Sequence, residues 1–161
     1  MNAITKILNW IGSKDLKESC SVKVKFKKLD PRACMPVKAH PTDAGFDLVA
    51  VSSWRESGNY VYGTGLAVEI PEGHVGLIFP RSSISKIDLF LTNAVGVIDS
   101  HYRGEILFKF KAACRVPYQL YDEGERIGQL IIMPIPQVEF EEVEELSETD
   151  RGAGGYGSSG K

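Results

Sequence analysis

The residues of this 161-residue chain best suited to chemistry gather in five short segments. The last reads Arg151-Gly152-Ala153-Gly154-Gly155-Tyr156-Gly157-Ser158-Ser159-Gly160. Five of its ten residues are glycine, so it cannot hold a stable helix or a packed strand. Its arginine is a planar fork of donors suited to phosphate. Its paired hydroxyls and glycine N–H groups are of the kind that line phosphate cradles, and its ring can cover a base. A mobile arm with these groups suits a lid over a nucleotide; a plain flexible terminus is the alternative.

The segment Pro80-Arg81-Ser82-Ser83 follows an apolar run and offers a guanidinium, two hydroxyls and free N–H groups. It can bind phosphate, or it can be a capped turn with Arg81 in a surface ion pair. Asn93 through Gly104 reads NAVGVIDSHYRG. Apolar Val97 and Ile98 precede Asp99, so the carboxylate is expected to emerge from a partly desolvated wall and can orient and deprotonate a water. Tyr102 can pack against a sugar, and Asn93 carries the donor and acceptor that suit a pyrimidine edge. Alone, this segment reads more readily as a hairpin with Asp99 in its turn. Gly124-Glu125-Arg126 is a tight turn into the strand over 127–133, or a plain hairpin with an Arg–Glu surface pair. Gln129, on that strand, either faces the site or is an ordinary polar strand residue. Asp47, in Asp43-Ala44-Gly45-Phe46-Asp47-Leu48, buttresses an arginine, orders waters around a metal, or makes a structural hydrogen bond.

The elements that must position these groups read as β. Val22-Lys23-Val24-Lys25-Phe26 alternates apolar and polar, as a half-buried strand does. Further strands are predicted over 46–51, 65–70, 74–79, 88–91, 105–112, 118–120, 126–134 and 137–143, with a short helix or irregular turn over 85–89. The run Leu130-Ile131-Ile132-Met133 predicts burial on both faces. Many short strands with few helix signals predict a barrel or jelly roll. Residues 1–20 stand apart: Ile4, Ile7, Leu8 and Ile11 mark one face of a short amphipathic helix. The expected organisation is thus an extension over 1–20, a β domain over 21–145 and a mobile arm over 146–161.

Hydrophobic residues make up 43% and charged residues 25%, typical of a soluble single domain. A net charge of −2 gives no general pull toward nucleic acid or anionic membrane, so phosphate binding must be local. Cys20, Cys34 and Cys114 are odd in number and lack metal-site spacing, which favours a reducing, cytoplasmic setting. No apolar run reaches the roughly 18–20 residues of a membrane span.

Taken together and in order, the five segments resemble the five motifs of the trimeric dUTP pyrophosphatase (dUTPase) family, across nearly the whole chain after the first twenty residues. The resemblance implies a distorted jelly-roll β-barrel with a flexible glycine-rich C-terminal arm. It implies a homotrimer with active sites shared between subunits, and hydrolysis of dUTP to dUMP and pyrophosphate with Mg²⁺. That activity keeps uracil out of DNA and supplies dUMP for dTMP synthesis. It places the enzyme in the cytoplasm, or in the host-cell cytoplasm if viral, with no nucleic-acid or membrane partner. By position, Asp99 matches the water-activating carboxylate and Tyr102 the ring beneath the deoxyribose. Asn93 and the backbone of Gly96, Val97 and Ile98 match the uracil reader. Arg81, Ser82, Ser83 and Gln129 match phosphate ligands, and Arg151, Ser158 and Ser159, with Gly157, match the arm's γ-phosphate contacts. Tyr156 falls where the family usually stacks phenylalanine on uracil. No residue ligates Mg²⁺ directly; triphosphate and waters hold it, with Asp47 near that water shell. His101 departs from the pattern, standing where members often carry a second acidic residue.

Two rivals accompany this reading. A dCTP deaminase-like enzyme shares the fold, but it requires a glutamate on the strand after Gly104, where the alignment puts Lys109. A dUTP-responsive regulatory protein on the same scaffold would not need an intact Asp99 and complete arm; residues 1–20 are where a second role would reside.

Overall fold

The computed structural model describes residues 21–113 and 119–155. The expected N-terminal helix, Tyr118, and Tyr156, Gly157, Ser158 and Ser159 of the arm lie outside the described residues.

Among the described residues, ten strands follow in chain order: β1 (Lys25–Lys28), β2 (Phe46–Val49), β3 (Ser52–Glu56), β4 (Asn59–Gly63), β5 (Leu66–Glu69), β6 (His74–Pro80), β7 (Leu89–Leu91), β8 (Gly96–Ile98), β9 (Leu107–Ala112) and β10 (Arg126–Pro134). A 3-10 helix, Ser82–Lys86, separates β6 from β7. One sheet has the order β2-β10-β6-β8, a second β3-β4-β9-β7, and β1 pairs with β5 alone. Every pairing is antiparallel, giving the all-β, jelly-roll-type architecture expected. The two larger sheets bury a common core. Leu48, Ile78, Ile98, Ile127 and Leu130 come from the first, and Tyr62, Leu89, Leu91, Phe108 and Phe110 from the second. Alternation produces this directly: in β9, Phe108 and Phe110 are buried while Lys109 and Lys111 face outward.

The sequence reading missed the β3–β4 hairpin. Its turn is Ser57-Gly58, with φ of 49° and 81°, and a turn with both central residues left-handed matches the twist of two strands joined this tightly. The flanking residues lack clean alternation, so the turn signal stood without strands beside it. The strand expected over 137–143 does not form; residues 135–150 carry no strand or helix. Its apolar residues Val138 and Phe140 are 61% and 98% exposed, because no neighbouring strand of the same chain offers a ladder. Gln119 and Leu120 likewise lie outside any strand. The first strand starts three residues later than expected, at Lys25, where pairing with Glu69 begins. It is exposed throughout, Phe26 included. Of the run expected to be buried on both faces, only Leu130 is buried; Ile131 and Ile132 are half-buried and Met133 is exposed.

Candidate functional site

β6 organises the site, because β10 and β8 pair along its two edges and opposite ends of it lead to different clefts.

At its C-terminal end, Pro80 leads into Arg81 and the 3-10 helix. Asp47, on β2, lies opposite Gln129 of β10, which in turn lies opposite Phe79 of β6. That register brings Asp47 to both arginines of the strand ends. Its Oδ1 accepts from Arg81 Nε at 2.9 Å, and its Oδ2 accepts from Arg126 Nη1 at 3.0 Å. The Asp47 side chain is only 12% exposed, so both guanidiniums are held by a largely desolvated carboxylate. Asp47 is therefore a buttress, one of its expected roles. Arg126 pairs with Asp47 rather than with its neighbour Glu125, whose carboxylate instead accepts from Asp122 N at 2.8 Å and tightens the turn. Gln129 donates to Pro80 O across 3.5 Å, a weak contact beside the cluster.

Arg81, Ser83, Lys86, Tyr121, Gly124 and Arg126 line a cleft of about 410 Å³. Three cations and two hydroxyls, against the single carboxylate of Glu125, converge there, which suits a polyphosphate. Ser82 sits exposed at the start of the 3-10 helix, its carbonyl accepting from Ser85 Oγ at 2.9 Å. Sequence reasoning did not select Lys86, Arg126 or Tyr121 as site residues. Lys86 is three residues after Ser83, the spacing at which side chains of a 3-10 helix eclipse, and this was the signal available. Arg126 was hidden because its carboxylate partner lies 79 residues away in sequence. Burial pushes the Tyr121 phenol above its usual range, against the opposing influence of Ser83 and Arg81.

The other cleft, about 230 Å³, is lined by Asn93, Gly96, Val97, Asp99, Tyr102 and Glu105 among others. β8 runs antiparallel to β6, with Gly96 opposite Ile78 and Ile98 opposite Gly76. It is an edge strand, so half of its backbone N–H and C=O groups have no ladder partner in the sheet. Asn93 sits in the preceding turn, where Ala94 takes a left-handed φ of 57°. After β8, a turn closed by Tyr102 N donating to Asp99 O at 3.0 Å puts Asp99 and Tyr102 at the same mouth. Asp99 is exposed in the single chain, contrary to the desolvated wall expected: only Ile98 beside it is buried, while Val97 is 62% exposed. Tyr102 Oη donates to Glu105 O at 3.0 Å, which fixes the ring. Gly104 permits this, since a Cβ there would collide with the Tyr102 hydroxyl and lie 2.6 Å from its Cζ. Sequence reasoning recorded Gly104 only as the end of the segment.

The two clefts share no lining residue. Asp99 follows the partner of Gly76, and Arg81 lies five residues along from Gly76. At strand rise that separation is about 17 Å. Arg151 lines neither cleft; its Nε donates to Gly154 O at 3.0 Å in a local turn. Among the described residues no three His, Cys, Asp or Glu side chains group to hold a metal ion, and no helix is long and apolar enough to cross a membrane.

Comparison with known proteins gives these clefts a context. The dUTPase family model matches residues 32–160, spanning both clefts and the arm. The chain belongs to the dUTPase family. It is 43% identical over 141 residues to the deoxyuridine 5'-triphosphate nucleotidohydrolase of Nocardia farcinica, covering 85% of each chain. It is 44% identical over 141 residues to that of Corynebacterium diphtheriae, covering 85% of this chain and 92% of the relative. Among solved structures it resembles a dUTPase variant of Staphylococcus bacteriophage 80alpha with dUpNHpp, at 32% identity and a TM-score of 0.76, over 86% of this chain and 99% of that one. It also resembles a phage phi11 dUTPase variant described with a structural Mg(II) ion, at 28% identity and a TM-score of 0.65, over 76% of this chain and 97% of that one. Hydrolysis of dUTP, the dUTP diphosphatase reaction, is the activity of this family member.

Proposed function

We propose that the chain hydrolyses dUTP at sites assembled from more than one copy, with the Asp99 cleft taking the nucleoside and the cation cleft of a neighbouring copy taking phosphates. The observation that carries this is the separation of the two clefts. Each contains one half of the chemistry, and they share no residue in a single chain. Apposing the nucleoside cleft of one copy with the cation cleft of another unites both halves at an interface. Exposed apolar residues such as Met35, Val37, Val97 and Ile135 are available for such an interface. A closed homotrimer is the assembly the family resemblance favours, and closed symmetry gives every copy the same environment.

The unpaired backbone groups of β8 and the Asn93 amide read the uracil edge. They accommodate the 4-carbonyl and leave an unmatched donor against cytosine's 4-amine. Tyr102 packs under the deoxyribose, where its fixed ring leaves no space for a 2'-hydroxyl. Asp99 accepts a proton from a water that attacks the α-phosphorus. The bond from that phosphorus to the bridging oxygen breaks, pyrophosphate leaves with the bond's electrons, and the proton later passes from Asp99 to solvent. Arg81, Arg126, Ser83 and Lys86 bind the phosphate chain, and Asp47 keeps the two guanidiniums aimed. Ser82 and Gln129 stand at the edge of this group. Both Asp47 oxygens are engaged by arginine, and no carboxylate cage exists among the described residues, so the cleft suits Mg²⁺ that arrives on the triphosphate with its waters. Such an ion offsets charge on the phosphates. Residues 146–161 form the arm: Arg151, Ser158 and Ser159, with the Gly157 backbone, reach the γ-phosphate, and Tyr156 covers the base, excluding water. The body over 21–145 and the segment over 1–20 complete the organisation, in a cytoplasmic enzyme without nucleic-acid or membrane partners.

The deaminase alternative lacks its carboxylate. Lys109 occupies that strand position, faces outward and pairs with Glu56 at 2.6 Å.

The test is pyrophosphate release with Mg²⁺ from dUTP, dCTP, dTTP and UTP in parallel, with ammonia followed in the dCTP sample, alongside sedimentation. Rapid release from dUTP alone, by a trimer, is expected. Full turnover by a monomer would overturn the shared site, and comparable release from UTP would overturn the role given to Tyr102.

A further inference from the structure

The cation cleft contains one group that the mechanism above does not use. Tyr121 lines it beside Arg81 and Ser83, and its hydroxyl is buried. It is the one buried side-chain polar atom among the described residues without a hydrogen-bond partner. A buried hydroxyl without a partner is destabilising, so a state in which it gains one is stabilised relative to the free chain. The ring has little freedom to find one by swinging away. Its centroid is 5.8 Å from that of Tyr62, edge-on at 86°, and 5.6 Å from that of Phe110 at 49°. The core therefore holds the phenol against the cleft wall.

The polar groups that act on it are Ser83 and Arg81 of the phosphate machinery and, more weakly, the Glu125 carboxylate. The Ser83 hydroxyl acts on the phenol as a side-chain hydrogen-bond partner and the Arg81 guanidinium through its charge, although no group meets full hydrogen-bond geometry at the phenol oxygen. Burial dominates, so the phenol stays protonated at neutral pH and acts as a donor. A serine oxygen can accept one hydrogen bond while its own proton is donated elsewhere. An anion in the cleft fixes the direction of such a chain, and each link strengthens the next.

We propose that Tyr121 is a positioning residue for phosphate binding. When the phosphate chain enters, Tyr121 Oη donates to Ser83 Oγ, and Ser83 donates to a phosphate oxygen. This rests on the assignment of the cation cleft to phosphates. The effect belongs to binding rather than to bond breaking, because Tyr121 acts on the phosphates through Ser83.

The experiment compares Tyr121→Phe, Ser83→Ala and the double variant in the full-length chain. The readouts are KM and kcat for dUTP, the inhibition constant of inorganic pyrophosphate, and the melting temperature. Removing one hydrogen bond that supports an anion contact corresponds to about a fivefold to tenfold loss in binding. Tyr121→Phe is thus expected to raise KM and the pyrophosphate constant about fivefold, with kcat within about twofold and an unchanged or higher melting temperature. The double variant is expected to bind no worse than Ser83→Ala alone. Unchanged binding in Tyr121→Phe, with Ser83→Ala impaired, would overturn the positioning role while leaving the cleft assignment intact. Fully additive losses would also overturn it, since Tyr121 would then act independently of Ser83. If Ser83→Ala and Arg81→Ala both left pyrophosphate binding unchanged, the phosphate assignment itself would fall, and this proposal with it.

Discussion

Replacing Gly104 by alanine gives a sharp test of the nucleoside cleft, because the perturbation can be sized in advance. The added Cβ would lie 2.6 Å from Tyr102 Cζ and 3.0 Å from Cε2. Carbon atoms in contact prefer about 3.5–4.0 Å, so the ring must retreat by about 1 Å. The hydrogen bond from Tyr102 Oη to Glu105 O starts at 3.0 Å and has little room to stretch before it is lost. That loss is worth about 0.5–1.5 kcal/mol of stability. The larger effect falls on function, since a displacement of about 1 Å in a positioned group can reduce a rate by about 100-fold. Gly104→Ala should fold, melt a few degrees lower, and lose about 10–100-fold in kcat/KM for dUTP. Its preference for dUTP over UTP should narrow, because the wall that rejects the 2'-hydroxyl has moved. The assay is pyrophosphate release from both nucleotides, with circular dichroism to verify folding. A folded Gly104→Ala enzyme with normal kcat/KM and undiminished sugar preference would refute the claim that the Tyr102 ring defines this wall.

Asp99→Asn should bind dUpNHpp by calorimetry with little change and lose most turnover; full activity would remove Asp99 as the base. Asp47→Asn leaves two guanidiniums without their shared carboxylate. Because Arg126 is half exposed and Arg81 less so, the expected loss lies between surface and buried pairs, about 1–3 kcal/mol in denaturant unfolding, with a raised KM for dUTP. Removing residues 151–161 should abolish most catalysis while sedimentation still reports the intact oligomer; normal turnover would show that the arm does not close the site. The Tyr62 and Tyr121 phenols are both pushed above their usual range, chiefly by burial. The folded state therefore holds their protons more tightly than the unfolded state does. Their contribution to stability is complete below the ordinary phenol range and is lost as pH rises through the shifted values. Melting temperature should fall more steeply above about pH 10 in the parent than in Tyr121→Phe.

The sequence by itself determined the fold class, the family and the chemical cast. Alternation in β9 and the turn-bounded apolar runs specified strands, because side-chain direction in a strand depends only on local parity. Asn93, Asp99 and Tyr102 were legible as a set because one turn and one short strand carry them all. Other features required the tertiary structure. Asp47, Arg81 and Arg126 come from three distant segments, and only the β2-β10-β6 register makes one carboxylate serve two arginines. The strand expected over 137–143 has the right local pattern, but a strand exists only where another chain segment completes its ladder. Tyr121 reads in sequence as one more aromatic before a turn, and its orphaned hydroxyl beside Ser83 emerges only when the core fixes its ring. The separation of the two clefts is likewise a property of register: opposite ends of β6 lead to different clefts. Local chemistry follows from residue order, whereas which groups meet depends on strand pairing between residues far apart in the chain.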